Sequence, residues 1–146
     1  MPLFDNARDI MQLNLLRIRN ACRVHAVPIG TLTVGQLAAI NVGRAAQMLG
    51  PIVGEVWFVG GHIHKRRIVD DGYSIEDVLD QISSAMESSS IVISSEYMTA
   101  MENPNSRADR YGNVVRDRAI FECSSRYPRP ELLSITPKGD RNKPVK

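Results

Sequence analysis

Residues 113–126, NVVRDRAIFECSSR, and residues 130–138, PELLSITPK, decide the fold. In the first stretch, alternate residues would face opposite sides of a strand, with Val115, Asp117, Ala119, Phe121 and Cys123 on one side and Val114, Arg116, Arg118, Ile120 and Glu122 on the other. The second stretch resumes the β pattern after a turn that contains two prolines. The two stretches therefore predict two consecutive strands.

The segments before this pair predict two further strands. Residues 91–101, IVISSEYMTAM, are strand-like, and residues 102–113 have the Asn, Pro and Gly content of an exposed connection. Residues 53–60, VGEVWFVG, are rich in β-branched and aromatic residues. Consecutive strands without helical crossovers pair mainly antiparallel. The sequence therefore predicts an α+β fold, with helices packed on one side of a mainly antiparallel sheet of about four strands.

The N-terminal fifty residues contain two predicted helices. The first covers residues 4–24, where apolar residues recur at helical spacing, namely Met11, Leu15, Ile18 and Cys22. Residues 25–31 include a proline and a glycine and are predicted to form a loop. Thr33 and Gln36 have the spacing of a capping box that opens the second helix. Two helices joined by a short loop favour an antiparallel helical hairpin.

One further helix is predicted at Ser74, with Asp77 three positions later. Its apolar stripe comprises Ile75, Val78, Leu79, Ile82 and Met86. The chain then divides into a helical hairpin for packing or oligomerisation over residues 1–50, an α+β domain over 51–140 and a basic tail over 141–146.

Composition is typical of one globular domain in a reducing, cytoplasmic location. The chain has 146 residues, of which 43% are hydrophobic and 23% charged. Its longest apolar runs are far shorter than the roughly 20 residues of a membrane-spanning helix, so no membrane association is expected. The N-terminus lacks the order of a signal peptide. Cys22 and Cys123 lie 101 positions apart, which fits neither a metal nor a redox motif, and no cofactor is predicted.

Positive charge is concentrated towards the C-terminus. The formal net charge is +2, yet residues 107–146 hold ten basic and five acidic residues, which leaves −3 for the first 106. Concentrated cations attract phosphate backbones because each neutralised phosphate releases condensed counterions. RNA or another polyanion is therefore an expected partner, and a basic end that merely keeps the protein soluble is the alternative.

Two of the three histidines lie in residues 60–67, GGHIHKRR. If this stretch is extended, His62, His64 and Arg66 share one face. Histidine suits general acid and base catalysis because both of its protonation states are accessible near neutrality. Arginine binds the charge that builds up on a phosphoryl group. The combination fits metal-independent cleavage of an RNA phosphodiester, in which the substrate's own 2′-hydroxyl attacks.

Later strands supply further candidates for the same site. Arg118 is a candidate phosphate stabiliser, Thr136 is a candidate catalytic hydroxyl, and Ser134 shares the face of Thr136. The residues predicted to bind nucleic acid are Arg107, Arg110, Arg116, Arg126, Arg129 and Lys138. An alternative for Arg116 and Arg118 is pairing with Glu122 and Asp117, because a cation on a sheet face is costly to bury alone.

These residues resemble a group of metal-independent ribonucleases. A histidine-bearing segment, a helix that starts Ser-Ile-Glu-Asp-Val at residue 74, and consecutive strands ending in a Ser/Thr-containing strand are similar to the barnase, EndoU, colicin and RelE-like nucleases of toxins and phages. The resemblance covers roughly residues 55–140. It implies His62 or His64 as acid or base, Arg66 or Arg118 as phosphate stabiliser, and Ser134, Thr136 or Lys138 as the contribution of the final strand.

Other functions stay open at this point. A zinc site is disfavoured because His62 and His64 supply two ligands and zinc needs three or four. The histidines could instead form a solvated polar edge. The main alternative to a ribonuclease or ribonuclease-like toxin is a non-catalytic phage or mobile-element protein that binds a nucleic acid, a nucleotide or a host or inhibitor protein, as in counter-defence. The helical stripes within residues 10–49 also predict a homo-oligomer.

Overall fold

The computed structural model describes residues 3–87, 91–95, 98–123 and 129–139, with only the backbone of residues 87 and 91–95. The chain forms an α+β fold, as the sequence predicted. Its helices are α1 (Ala7–Arg19), α2 (Val34–Ala46), α3 (Gly60–Ile63) and α4 (Ile75–Glu87). None of the helices in these ranges is long and apolar enough to cross a membrane.

Capping and apolar spacing explain where the helices α2 and α4 begin. The Thr33 hydroxyl accepts a bond from the Gln36 backbone, and the Gln36 side chain accepts one from the Thr33 backbone, so the predicted capping box is present. Ser74 and Asp77 exchange equivalent bonds of 3.0 Å at the start of α4. The predicted α4 stripe is buried throughout, at Ile75, Val78, Leu79, Ile82 and Met86.

Seven strands form one mixed sheet, with the order β1-β2-β7-β6-β4-β3 and β5 paired to β6. They are β1 (Val27–Thr31), β2 (Glu55–Phe58), β3 (Ile91–Ser95), β4 (Met98–Glu102), β5 (Arg107–Ala108), β6 (Val114–Cys123) and β7 (Pro130–Gly139). Among the strands of the described residues, β2 and β7 are the one pair that is parallel. The sheet is therefore mainly antiparallel, as predicted.

The hydrophobic core lies between one face of this sheet and the helices. α4 packs against β4, β6 and β7, α3 packs against β7, and α1 packs against α3, α4 and β1. The strand residues that face the helices are buried, among them Val56, Phe58, Met101, Ala119, Phe121, Leu132 and Ile135. We call the other side of the sheet the open face, because the β6 residues on that side are half-buried or exposed, namely Val114, Arg116, Arg118, Ile120 and Glu122.

The predicted helical hairpin over residues 1–50 is wrong in detail, because residues 27–31 form a strand rather than a loop. β1 lies between α1 and α2 in sequence and pairs antiparallel with β2. Pro28 and Gly30 are compatible with a strand here because β1 is at the edge of the sheet and the ladder has an irregularity between these two residues. The first fifty residues therefore contribute a strand to the sheet.

The prediction of about four strands is also too low. Residues 91–101, predicted as one strand, reverse direction and form the antiparallel pair β3 and β4, with Ser95 opposite Met98. A period-two pattern has the same form in one long strand and in two short ones, so the reversal left no signal in the alternation.

The expectation of an extended GGHIHKRR segment is wrong. After β2 the chain enters α3, which continues as a π-helical segment over His64–Asp70. Ile63 is fully buried and Ile68 packs against the core, whereas Lys65 and Arg66 are exposed. The π-helical segment closes with the Asp71 amide donating to the Arg66 carbonyl, a bond between residues five apart.

Candidate functional site

Strand β6 carries the candidate site because its residues alternate between the core and the open face. Val115, Asp117, Ala119, Phe121 and Cys123 are buried on the core face. Arg116 and Arg118 are half-buried on the open face, with 30% and 24% of their side chains exposed. This is the alternation that the sequence predicted for residues 114–123.

The strand register brings further polar residues beside these two arginines. Lys138 of β7 lies opposite Arg116, and Thr136 lies opposite Arg118. On the other side of β6, Glu102 of β4 lies opposite Arg118. We call these five residues the basic patch. Directly paired residues of an antiparallel ladder share a face, so the patch has three cations and one carboxylate.

The carboxylate of the basic patch binds both arginines with different geometry. Arg118 Nη2 donates to Glu102 Oε2 at 3.1 Å, while Arg116 Nε lies 4.0 Å from Glu102 Oε1. Arg118 Nε is buried and has no acceptor among the described residues. The Arg118 guanidinium therefore has a hydrogen-bond donor without an acceptor among the described residues. After a change of rotamer, this donor can bind an anion that approaches from the open face.

A contrasting ion pair occupies the opposite face of the same strand. Asp117 is fully buried and receives two bonds from Arg107, at 2.6 Å from Nε and 2.7 Å from Nη2. This pairing raises the pKa of Arg107, mainly through the bonds to Asp117. Because both donors of its planar fork serve Asp117, Arg107 acts as an anchor of β5 to β6, although the sequence predicted it as a phosphate contact.

Two other predicted nucleic-acid contacts, Arg110 and Arg129, lie apart from the basic patch. Arg110 donates to the Gly72 carbonyl and to Asp77, so it fixes the connection before β6 to the start of α4. Arg129 pairs with Glu131, and its guanidinium lies 3.9 Å from the centre of the Trp57 ring. The remaining predicted contact, Arg126, lies outside the described residues.

The helical conformation of residues 60–70 separates the two candidate histidines. Side chains two positions apart on a helix point in different directions, so His64 does not share a face with His62 or Arg66. His62 is exposed, and Arg66 lies 3.7 Å from Asp70. His64 Nε2 is buried with no hydrogen-bond partner among the described residues. Burial, followed by the nearby Arg19 guanidinium, lowers the pKa of His64.

The sheet itself lies between the histidines and the basic patch. α3 and the π-helical segment pack with α1 and α4 on the core face, where α3 contacts β7. Arg118 and Thr136 are on the open face. The structure therefore brings Arg116, Arg118, Thr136 and Lys138 together, but it does not bring His62 or His64 to them.

Two residues near these sites were missed by sequence reasoning. Glu102 is 7% exposed and holds the arginines of the basic patch, and only the β4–β6 register reveals it. Trp57 lies on the open face, opposite Glu131. The sequence did not reveal this position because it does not show which strands lie beside β2. Within the described residues, no three His, Cys, Asp or Glu side chains cluster closely enough to hold a metal ion.

Comparisons with protein-family models, with curated proteins and with solved structures found no match to this chain.

Proposed function

We propose that the protein binds nucleic acid through phosphate contacts on the basic patch, without reading sequence and without catalysis. The observation that carries this proposal is the register of β6 and β7, which places Lys138 opposite Arg116. Arg118 lies two residues further along β6, on the same face as Arg116. Alternate residues of a strand are roughly 6.8 Å apart and neighbouring strands about 4.8 Å apart. The three cations are therefore close enough for one phosphodiester chain to contact them together.

The chemistry of the patch favours a phosphate over a protein carboxylate. Glu102 holds Arg118 by a single oxygen at 3.1 Å, which is weaker than a bidentate pair, and Arg118 Nε has no acceptor among the described residues. A phosphate offers several acceptor oxygens to the two guanidinium groups, and the Thr136 hydroxyl can donate to the same group. Contacts of this kind fix a backbone but carry no base information, so the binding is expected to be sequence-independent.

Salt dependence of binding tests this proposal. We expect the affinity of the wild-type protein for a fluorescein-labelled 20-nucleotide oligo(U) to fall as the salt concentration rises from 50 to 300 mM. The variant Arg116→Gln/Arg118→Gln is expected to bind more weakly and to lower the slope of log K against log salt by about 1.4, since each single-strand phosphate contact contributes about 0.7.

Lys65→Gln/Arg66→Gln is the matched control, because it removes two exposed cations from the π-helical segment instead. This control is expected to retain the wild-type slope. No binding of the wild-type protein at 50 mM salt, or equal slopes for the two double variants, would overturn the proposal.

Ribonuclease activity stays a prediction and has a direct assay. It requires His62 and His64 to act without Arg118 and Thr136, and with one His64 nitrogen shielded from solvent. If the histidines catalyse cleavage, RNA is cut in excess chelator and leaves 2′,3′-cyclic phosphate ends, and His62→Ala or His64→Ala lowers the rate roughly a hundredfold to ten-thousandfold. On the binding proposal, oligo(U) remains intact in the same assay.

We also propose that α2 mediates self-association. Val34, Val42 and the adjoining Met48 are 88%, 71% and 96% exposed, and Ile40 is the buried residue of the helix. Arg44 is the one charged residue of α2, so two copies of this helix can pair with little electrostatic repulsion. Light scattering at micromolar concentration should show a dimer that Val42→Glu converts to a monomer. A monomeric wild-type protein contradicts this proposal.

A further inference from the structure

A cleft of about 200 Å³ lies between α1 and the residues that lead into β1. Its apolar lining is supplied by both sides, with Ile10 and Leu13 from α1 and Val24 and Val27 from the facing chain. Arg17, Arg23 and His25 also line it. No residue of the basic patch does, so this cleft is separate from the candidate site already described.

The two arginines of this cleft have no anionic partner in the part of the chain that the structure describes. Neither Arg17 nor Arg23 has an ion-pair or side-chain hydrogen-bond partner within the described ranges of the chain, and both are exposed. Arg8, on the same helix α1, instead contacts both Glu76 and Asp80. Two unneutralised guanidinium groups beside an apolar surface are complementary to an anion that has an apolar body.

The walls of the cleft are held together without a ligand. Asn14 is 6% exposed, lines the cleft and donates from Nδ2 to the His25 carbonyl at 3.2 Å, which ties the chain before β1 to α1. α1 in turn lies so close to α3 that a Cβ on Gly60 would come within 2.5 Å of Asn14 Oδ1. A cleft preformed in this way saves a ligand the cost of ordering it.

We propose that this cleft binds a small carboxylate with an apolar body, such as a medium-chain alkanoate. Arg17 and Arg23 hold the carboxylate, because the guanidinium fork matches its two oxygens. The hydrocarbon part lies against Ile10, Leu13, Val24 and Val27. The volume of about 200 Å³ is below that of pockets for drug-sized ligands, which limits the body to a medium-length chain or a single ring.

Three probes separate the contributions of charge and apolar surface. Octanoate has both the charge and the chain, 1-octanol has the chain alone, and acetate has the charge alone. In titrations of the full chain followed by the backbone amide resonances of residues 10–27, octanoate is expected to bind at least about tenfold more tightly than either of the others, a difference of about 1.4 kcal/mol.

Variants assign the binding to this cleft. Arg17→Gln/Arg23→Gln is expected to weaken octanoate binding about tenfold or more and to leave 1-octanol unaffected, whereas Leu13→Gln weakens both. Arg19→Gln is the matched control, because Arg19 is on the same helix but does not line the cleft. Octanoate binding no tighter than that of 1-octanol, or an equal loss in Arg19→Gln, would overturn the proposal. Retained amide dispersion shows that each variant is folded.

Discussion

Strand β6 carries an ion pair on each of its faces, and the two pairs differ in geometry. On the core face, Asp117 receives two short bonds from one arginine, Arg107. On the open face, Glu102 receives one bond of 3.1 Å from Arg118 and lies 4.0 Å from Arg116. The first pair has one cation for one carboxylate, whereas the second site has two arginines, with Lys138 opposite one of them.

This difference separates a structural pair from a site suited to a ligand. A buried carboxylate must be neutralised and hydrogen-bonded where it lies, and the fork of Arg107 does both. An excess of cations on a half-exposed face instead produces a positive potential that attracts an anion from solution. On the proposed function, neighbouring residues of one strand stabilise the fold on one side and bind phosphate on the other.

The largest effect on stability is expected at the core face. Arg107→Ala should lower the free energy of unfolding by roughly 2–3 kcal/mol, because it leaves the Asp117 carboxylate buried without a partner. Fully buried pairs lose about 3–5 kcal/mol, and the 35% exposure of the Arg107 side chain reduces this loss.

Arg118→Ala is the matched control on the open face, with a smaller expected loss than Arg107→Ala, because Arg116 still lies 4.0 Å from the Glu102 carboxylate. Urea unfolding followed by the fluorescence of Trp57, the single tryptophan, measures both variants. Equal losses would abolish the distinction between the two faces.

A smaller effect is expected from Glu102→Gln, which should strengthen RNA binding rather than weaken it. Removing this carboxylate leaves the basic patch with three cations and no anion, so the affinity for oligo(U) should rise about three- to tenfold at low salt. The neutral amide oxygen can still accept from Arg118, which limits the loss of stability. Anisotropy titrations at 50 mM salt test this expectation, and an unchanged or weaker affinity would show that Glu102 does not compete with phosphate.

The smallest effect concerns His64, behind the sheet. Its pKa is lowered in the folded protein by burial and by Arg19, so the unfolded chain binds the proton more readily. The stability that the neutral imidazole contributes is therefore present above the unfolded pKa of about 6.5 and is lost as the pH falls through the lower, folded pKa.

Urea midpoints between pH 8 and 5 should thus decrease more in the wild-type protein than in His64→Gln. His62→Gln, which changes an exposed histidine, is expected to follow the wild-type profile. If the urea midpoints of all three proteins changed with pH in parallel, protonation of His64 would not be coupled to unfolding.

The local elements were predictable because their signals lie within a few residues. The capping box of Thr33 and Gln36 and the buried stripe of α4 follow from the 3.6-residue helical period. The alternation of β6 follows from the two-residue period of a strand. Arg116 and Arg118 were therefore predicted correctly to share a face.

The conformation of GGHIHKRR was not predictable in the same way. Its residues are compatible with a strand end. The buried Ile63 and the partly buried Ile68 favour a helix only because a core surface is available to them. The close approach of Gly60 to Asn14 joins residues 46 positions apart, and no local pattern records such a contact.

By itself, the sequence determined the fold class, most helix starts and the alternating faces of β6, because these depend on interactions between near neighbours in the chain. The tertiary structure decided the strand order, the parallel pairing of β2 with β7, and the choice of Glu102 rather than Glu122 or Asp117 as partner of Arg118. It also decided that the histidines and the basic patch lie on opposite sides of the sheet. Such arrangements depend on strand register and on packing between segments that are distant in the sequence. The interaction energies of these segments arise only when the chain has folded.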